Sequence, residues 1–292
     1  MATRNSSVRL ASPVWLVLVG ILSVQFGAGV AKSLFDEVAP TTIVWLRLAT
    51  SSLILVAVAR PVLRGRTRAD WLVVIGFGIA LGTMNWAIYQ SFARIPLGVA
   101  VTLEFVGPLA LAVLGSRRPR DLLWVALAGL GVALLGLSGG GGSLTLAGVL
   151  FALLAGGCWA AYILLSAQTG RRWPGLDGLA LASVVATVLL TPSAVAVGGT
   201  DLLDPRILLL GALVGLLSSV IPYSCELVAL RTLRPAVFSI LMSLEPAAAA
   251  LAGMVVLGEF LTAEQWLAMA CVVVASVGAT RSSRAVMQPI PD

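Results

Sequence analysis

The sequence predicts an all-α polytopic membrane protein with ten transmembrane helices arranged as two inverted five-helix repeats. Apolar residues make up 59% of the 292 residues and charged residues only 11%, which is more apolar surface than a soluble domain can bury. The apolar residues fall into runs of about 20, the length that a helix needs to cross a hydrocarbon core of about 30 Å. A weak internal repeat and an uneven distribution of arginine predict the arrangement of the helices.

The first apolar run, 13–31, follows a polar segment with Arg4 and Arg9. It ends in small residues, as a cleaved signal peptide does, but its length and the presence of Gln25 favour an uncleaved helix. The other predicted spans are 41–60, 71–92, 97–115, 121–138, 146–168, 177–197, 206–229, 235–257 and 263–280.

The last two predicted spans resemble the fourth and fifth. Setting Trp124 against Trp266 also pairs Gly136 with Gly278, and several alanines and valines between them coincide. The chain therefore divides into a first repeat at 1–138, a flexible Gly/Ser connector at 139–145 and a second repeat at 146–292 that ends in a short tail. Because five is an odd number, the second repeat must enter the membrane from the opposite side, so the repeat is inverted.

Arginine predicts the orientation of the chain. The three cations on one side are Lys32, Arg94 and Arg206. The segments on the other side hold Arg4, Arg9, Arg60, Arg64, Arg66, Arg68, Arg117, Arg118, Arg120, Arg171, Arg172, Arg231, Arg234, Arg281 and Arg284. Since cytoplasmic loops are enriched in Lys and Arg, we expect both termini to be cytoplasmic.

Composition also argues against several classes of function. The net charge of +6 comes largely from loop arginines and sets the topology, so no nucleic-acid partner is expected. The chain contains no His, the commonest metal ligand and pH switch. Cys158, Cys225 and Cys271 lie singly within apolar runs and are interpreted as packing residues. We therefore expect no metal site and no cofactor.

Four ionisable side chains lie at membrane depth: Arg47, Glu104, Glu226 and Glu245. Such groups are costly in lipid and usually face a cavity or a partner. Lys32 lies at a helix end, where its ammonium can reach the membrane surface.

A polar layer is predicted in the first repeat. Gln25, Arg47, Asn85 and Glu104 each lie about seven residues from the outer end of their spans, roughly 10 Å deep. We expect Arg47 and Glu104 to form an ion pair. That pair either serves solute binding or only locks the first repeat, and the sequence leaves both interpretations open.

The second repeat carries a rough counterpart near the inner face, formed by Tyr162, Tyr223 and Glu226. These tyrosines, together with the residues Trp86, Tyr89 and Trp159, are predicted to line a cavity for a small polar solute. The alternative is that the aromatic side chains form an interfacial belt.

Three prolines mark predicted hinges: Pro108, Pro222 and Pro246. Proline removes a helical hydrogen bond, and breaks at matched positions of two repeats suit discontinuous helices around a central site. Glu245 directly precedes Pro246 near the middle of its span. It is either a structural acid at the kink or a protonatable coupling site. Without His, a proton relay would have to use Glu104, Glu226 or Glu245.

Several stretches resemble the drug/metabolite transporter superfamily with its EamA-type repeats, and within it the threonine and homoserine exporters of bacterial inner membranes. The stretches that carry the resemblance are Ala31-Lys32-Ser33-Leu34-Phe35, Pro96-Leu97-Gly98-Val99-Ala100, Leu103-Glu104-Phe105 with Gly107-Pro108-Leu109-Ala110, Ser116-Arg117-Arg118-Pro119, Ile221-Pro222-Tyr223-Ser224 with Glu226, and Leu241-Met242-Ser243 with Glu245-Pro246 followed by Leu257-Gly258-Glu259. The resemblance implies a central cavity between the repeats and export of a small amino acid, exchanged for protons by alternating access.

The partners expected on this interpretation are a small-molecule solute, protons and the lipid bilayer, and a homodimer is a possible assembly. Three alternatives stay open at this point. They are a multidrug or other metabolite carrier of the same superfamily, an intramembrane enzyme, and a membrane scaffold that transports nothing. An enzyme would need a nucleophile with its base or a set of metal ligands, and the composition argues against both.

Overall fold

The structure is a computed structural model that describes residues 13–114, 122–137, 144–230, 233 and 235–284. Within these residues every regular element is a helix, so the predicted all-α class is confirmed. The α-helices are α1 (Pro13–Ser33), α2 (Pro40–Ala59), α3 (Arg68–Phe92), α4 (Leu97–Glu104), α5 (Val106–Leu114), α6 (Leu122–Leu137), α7 (Leu146–Arg172), α8 (Asp177–Gly198), α9 (Pro205–Gly215), α10 (Ile221–Leu230), α11 (Pro235–Met242), α12 (Glu245–Ala252) and α13 (Ala263–Arg284).

The described helices correspond to the ten predicted spans. In this part of the chain, 9 helical spans are long and apolar enough to cross a membrane, and the apolar part of α6, Leu122–Leu135, is shorter. Most of the predicted connector, the N-terminal polar segment and the C-terminal tail lie outside the described residues. The halves referred to below are α1–α6 and α7–α13.

Three spans are interrupted near the prolines that were predicted to be hinges. One span divides into α4 and α5 at Phe105, and another divides into α11 and α12 directly before Glu245 and Pro246. In the third, a π-helical segment at Leu216–Val220 joins α9 to α10, the helix that contains Pro222. Proline lacks the N–H that would bond the carbonyl four residues earlier, so each break exposes a backbone acceptor.

The contacts between the two halves come in equivalent sets, in which the roles of the first and the second half are reversed. Helix α3 packs on α7 and α8, and in the reciprocal contacts the α9–α10 span packs on α1 and α2. The α4–α5 span lies against α7 as the α11–α12 span lies against α1. Three contacts join counterparts directly: α2 with α8, α4 with α12 and α6 with α13. Most of the bundle is therefore held together by contacts between the halves.

Small residues allow these helices to approach closely. A Cβ atom at Gly82 would lie 3.1 Å from the Cα of Ala186 on α8, and one at Gly215 would lie 2.8 Å from the Cβ of Thr50 on α2. A Cβ atom at Gly156 on α7 would lie 2.5 Å from the carbonyl oxygen of Glu104, at the break between α4 and α5. Close backbone contact of this kind is a main source of helix association in lipid.

We predict different effects on stability from adding one methyl group at two adjacent glycines. Gly156→Ala places a Cβ against the Glu104 carbonyl and should lower the free energy of unfolding by about 1–3 kcal/mol. Gly157→Ala has no atom within 4 Å of its new Cβ and should be neutral, or stabilising by up to about 1 kcal/mol, because Ala favours the helix. Thermal unfolding in detergent compares the two variants. Equal unfolding midpoints would contradict the tight α4–α7 contact.

Candidate functional site

A cavity of about 620 Å³ lies between the two halves. It extends from Ala28, Phe92 and Val101 at one end to Ala112, Phe238 and Thr280 at the other. These last residues lie close to the end of α5, the start of α11 and the end of α13. The cavity therefore approaches the face of the bundle at which α1 begins. Towards the face at which α1 ends it is covered, since Ala28 and Phe92 are both buried.

Most of the polar residues and two of the prolines singled out in the sequence line this cavity. The first half contributes Gln25, Arg47, Asn85, Glu104 and Pro108, and the second half contributes Tyr162, Pro222, Tyr223, Glu226 and Glu245. Trp159 also lines it, with its ring edge-on to Phe105 at 4.9 Å between centroids. That these residues bind a solute stays a prediction.

Two predicted cavity residues face elsewhere. The Trp86 ring packs edge-on against Phe151, at 5.4 Å between ring centroids. Tyr89 is fully buried between Phe35 and Phe92, with centroids 6.0 and 5.6 Å away. Helix α3 lines the cavity with Met84, Asn85, Ile88 and Phe92. At about 100° per residue, Asn85 is at one edge of this face, and Tyr89 and Trp86 point about 40° and 100° beyond that edge, into the apolar core.

The predicted ion pair between Arg47 and Glu104 is wrong. The Arg47 guanidinium instead donates from Nη2 to the carbonyl oxygen of Ser218 at 2.9 Å and from Nε to the Ser219 hydroxyl at 3.2 Å. Both acceptors belong to the π-helical segment before α10. Ser218 lies four residues before Pro222, so its carbonyl lacks the usual α-helical donor and Arg47 supplies one.

The carboxyl groups of the cavity have few partners. Glu245, only 8% exposed, accepts a hydrogen bond from Gln25 Nε2 at 3.5 Å, which joins α1 to α12 across the halves. Among the described residues, Glu104 and Glu226 have neither a hydrogen-bonding nor an ion-pair partner for their side chains. Glu245 lies within electrostatic range of both. The cavity thus offers acceptors that suit an ammonium group or a proton.

The remaining polar groups add hydrogen-bonding capacity. Asn85 donates from Nδ2 to the Leu81 carbonyl at 2.8 Å, which leaves its Oδ1 as an acceptor at the cavity wall. Arg47 uses Nε and Nη2, so Nη1 stays available as a donor for an anionic group. The site therefore combines a donor for a carboxylate with acceptors for an ammonium.

Sequence reasoning missed the hydroxyl groups of the cavity. Ser239 and Ser276 line it from α11 and α13, and Thr280 follows one turn later. The Ser276 hydroxyl lies 2.9 Å from that of Ser243, and Thr280 donates to the Ser276 carbonyl at 2.9 Å. Serine and threonine commonly bond to the backbone of their own helix, so their presence in an apolar run carries no signal of a cavity.

Lys32 lies at the end of α1, as expected, and has a partner that the sequence did not suggest. Its ammonium lies 2.5 Å from Glu259 Oε1 and donates to the Ile95 carbonyl at 2.7 Å. This contact joins the two halves at the face where α1 ends.

The chain is similar to known bacterial transporters. A model of the EamA-like transporter family matches residues 146–281. The threonine/homoserine exporters RhtA of Salmonella typhimurium and of Escherichia coli K12 are each 42% identical to it over 277 residues, or 93% of this chain and 94% of theirs. The uncharacterized transporter YwfM of Bacillus subtilis is 33% identical over 196 residues, which cover 66% of this chain and 62% of that protein. A crystal structure with 20% identity has a TM-score of 0.62 over 94% of this chain and 99% of its own, and so has the same fold.

We predict that Arg47 is coupled energetically to Ser219 rather than to Glu104. In a double-mutant cycle, Arg47→Lys and Ser219→Ala should be non-additive by about 0.5–3 kcal/mol in the free energy of unfolding, because they share a hydrogen bond. The matched cycle with Glu104→Gln should give a smaller coupling. Unfolding in detergent measures both cycles, and a larger coupling to Glu104 would restore the ion pair that the sequence suggested.

Proposed function

The chain belongs to the EamA-like transporter family of the drug/metabolite transporter superfamily, and we propose that it exports a small amino acid of the threonine or homoserine type. It is a multi-pass protein of the bacterial inner membrane. The observation that carries the proposal is the cavity between the halves, where Arg47 faces the same space as Glu104, Glu226 and Glu245. The relatives that align over nearly the whole chain are threonine/homoserine exporters, which supports the same class of substrate.

An amino acid fits the charges of this cavity. Its carboxylate suits the free Nη1 of Arg47, and its ammonium suits the unpaired carboxyl groups of Glu104 or Glu226. Asn85 Oδ1 is a further acceptor. A cavity of about 620 Å³ exceeds the size of one such solute, so water molecules would accompany it.

In this proposal, alternating access follows from two inverted repeats. The inversion is supported by helices at equivalent positions of the two halves, which run in opposite directions. Thr42 and Trp45 of α2 contact Gly198 and Thr191 of α8, so the two helices run in opposite directions. The close approaches of α6 and α13 indicate the same, because Gly131 meets Ala268 and Trp124 meets Gly278. The hinges would be the breaks at Pro108, Pro222 and Pro246.

The proposed energy source is the proton gradient. The chain has no His, so the protonatable groups that reach the cavity are the carboxyls of Glu104, Glu226 and Glu245. Protons and the amino acid would compete for these acceptors, which is the simplest basis for exchange. The loop arginines support an orientation with both termini in the cytoplasm. The proposal includes no nucleic-acid partner and allows a homodimer.

A broader carrier is the second candidate. Much of the cavity wall is apolar or aromatic, including Met84, Phe105, Trp159, Phe238 and Met242. Methionine and aromatic side chains adapt to varied ligands, which would suit a multidrug or other metabolite carrier of the same superfamily. An intramembrane enzyme and a scaffold that transports nothing are less consistent with the family.

Reconstitution tests the proposal directly. Proteoliposomes loaded with a panel of labelled amino acids should release threonine or homoserine faster than protein-free vesicles, and a pH gradient should accelerate the release. Efflux of hydrophobic amines instead of amino acids would favour the broader carrier. Release of neither class, under either condition, would defeat the exporter assignment.

We predict that proton-driven efflux depends on the buried acids. Glu245→Gln and Glu104→Gln should each lower gradient-driven efflux by at least about tenfold, because an amide cannot carry a proton through the cycle. Glu264→Gln removes a carboxyl from an exposed residue after Thr262 and should leave the rate within about twofold. Efflux is measured at equal amounts of reconstituted protein. Unchanged proton-driven efflux in both buried variants would exclude these acids from coupling.

A further inference from the structure

We propose that Lys32 and Glu259 form a gate that closes the cavity at the face where α1 ends and that separates once in each transport cycle. The inference rests on the proposed transport function, because a gate has a role only if a solute crosses the bundle. It assigns a role to two residues outside the cavity wall.

The gate is a connected set of polar contacts between the halves. Lys32 at the end of α1 lies 2.5 Å from Glu259 Oε1 and donates to the Ile95 carbonyl at 2.7 Å. The other carboxylate oxygen of Glu259 accepts from the backbone N–H of Leu97, the first residue of α4, at 2.8 Å. One carboxylate from the second half thus holds two helix ends of the first.

The gate lies directly beyond the closed end of the cavity. On α1 the last residue of the cavity wall is Ala28, four positions or about 6 Å before Lys32. On α4 the wall begins at Val101, four positions after Leu97. Separating Glu259 from these two helix ends would remove the polar contacts that lie beyond the α1 and α4 walls of the cavity at that face.

Between the gate and the cavity lies a seal of small residues. A Cβ atom at Gly98 would lie 2.9 Å from the Cβ of Ala250, and one at Gly29 would lie 3.3 Å from the Cβ of Val256. These contacts bring the backbones of α4 and α1 close to the α11–α12 span and its π-helical end. Because the tightest contacts are made by Gly and Ala, few large side chains cross between these backbones at the two positions.

The polar contacts are also suited to opening. The Lys32 and Glu259 side chains are 16% and 19% exposed, so water can replace each partner as they separate. The segment that carries Glu259 follows a π-helical stretch, Gly253–Leu257, and the left-handed Gly258 at φ 68°. A π-helical stretch and a glycine turn are common sites of local rearrangement.

Labelling of a cysteine from one side of the membrane tests the ion pair without knowledge of the substrate. An Ala28→Cys reporter is exposed to a membrane-impermeant thiol reagent applied to the face where Lys32 lies. Its signal is measured above that of the chain with only its native Cys158, Cys225 and Cys271. Lys32→Gln or Glu259→Gln should raise the labelling rate by about threefold or more, because the open population grows.

The matched control breaks an ion pair at the opposite face. Arg172 Nη1 lies 3.0 Å from Asp70 Oδ1, where α3 begins and α7 ends. Arg172→Gln should therefore leave labelling of Ala28→Cys from the Lys32 face unchanged. Equal labelling rates in the parent, Lys32→Gln and Glu259→Gln would overturn the gate, as would an equal rise with Arg172→Gln.

Crosslinking tests whether the seal must open. Disulfides join Cβ atoms about 3.5–4.5 Å apart, so Gly29→Cys with Val256→Cys should crosslink after a small adjustment. Oxidation should abolish efflux of the amino acid that the unmodified chain releases, and a reductant should restore it. Gly131→Cys, whose Cβ would lie 3.3 Å from that of native Cys271, is the control pair, and its oxidation should preserve efflux.

The two assays separate failure of the gate from failure of the proposed function. Full efflux from the completely crosslinked Gly29–Val256 pair would overturn the gate while leaving the transporter intact. If the chain releases no amino acid at all, the exporter proposal fails, and the labelling assay still decides whether Lys32 and Glu259 close this face.

Discussion

The hydrogen bond from Arg47 to the Ser218 carbonyl is the contact on which the cavity depends. A bilayer offers no water to a backbone carbonyl without a donor, and leaving such a group unpaired costs several kcal/mol. A guanidinium at the same depth is equally unfavourable without acceptors. Each group satisfies the other at 2.9 Å. The span with Pro222 can therefore deviate from regular helix beside the cavity, and α2 holds it in place.

Sequence reasoning predicted positions along the helices better than directions around them. The depth of Gln25, Arg47 and Glu104 follows from counting residues, and all three reach the cavity. The rotation of each helix about its axis is poorly determined when nearly every face is apolar. Tyr89 lies one turn after Asn85 and was expected on the same wall, yet it packs beneath the Arg47 guanidinium, 5.7 Å from the ring centroid.

Partners distant in the sequence were beyond prediction. Glu104 was the only acid at the same predicted depth as Arg47, and the true acceptors are a backbone oxygen and a serine from the other half. The Ser218 carbonyl is available to Arg47 because Pro222, four residues later, has no N–H to donate to it. Lys32 and Glu259 were each placed at the correct face, but nothing in either local sequence specifies that the two would meet.

The separation of 171 positions between Arg47 and Ser218 also has a consequence for biosynthesis. At a translation rate of 5–20 residues per second, the acceptors of Arg47 emerge from the ribosome about 10–30 s after Arg47 itself. During that interval the guanidinium cannot rest in lipid without a substitute partner. The nascent α2 must therefore remain beside the insertion machinery, or close to the aqueous surface, until the eighth span has been synthesised.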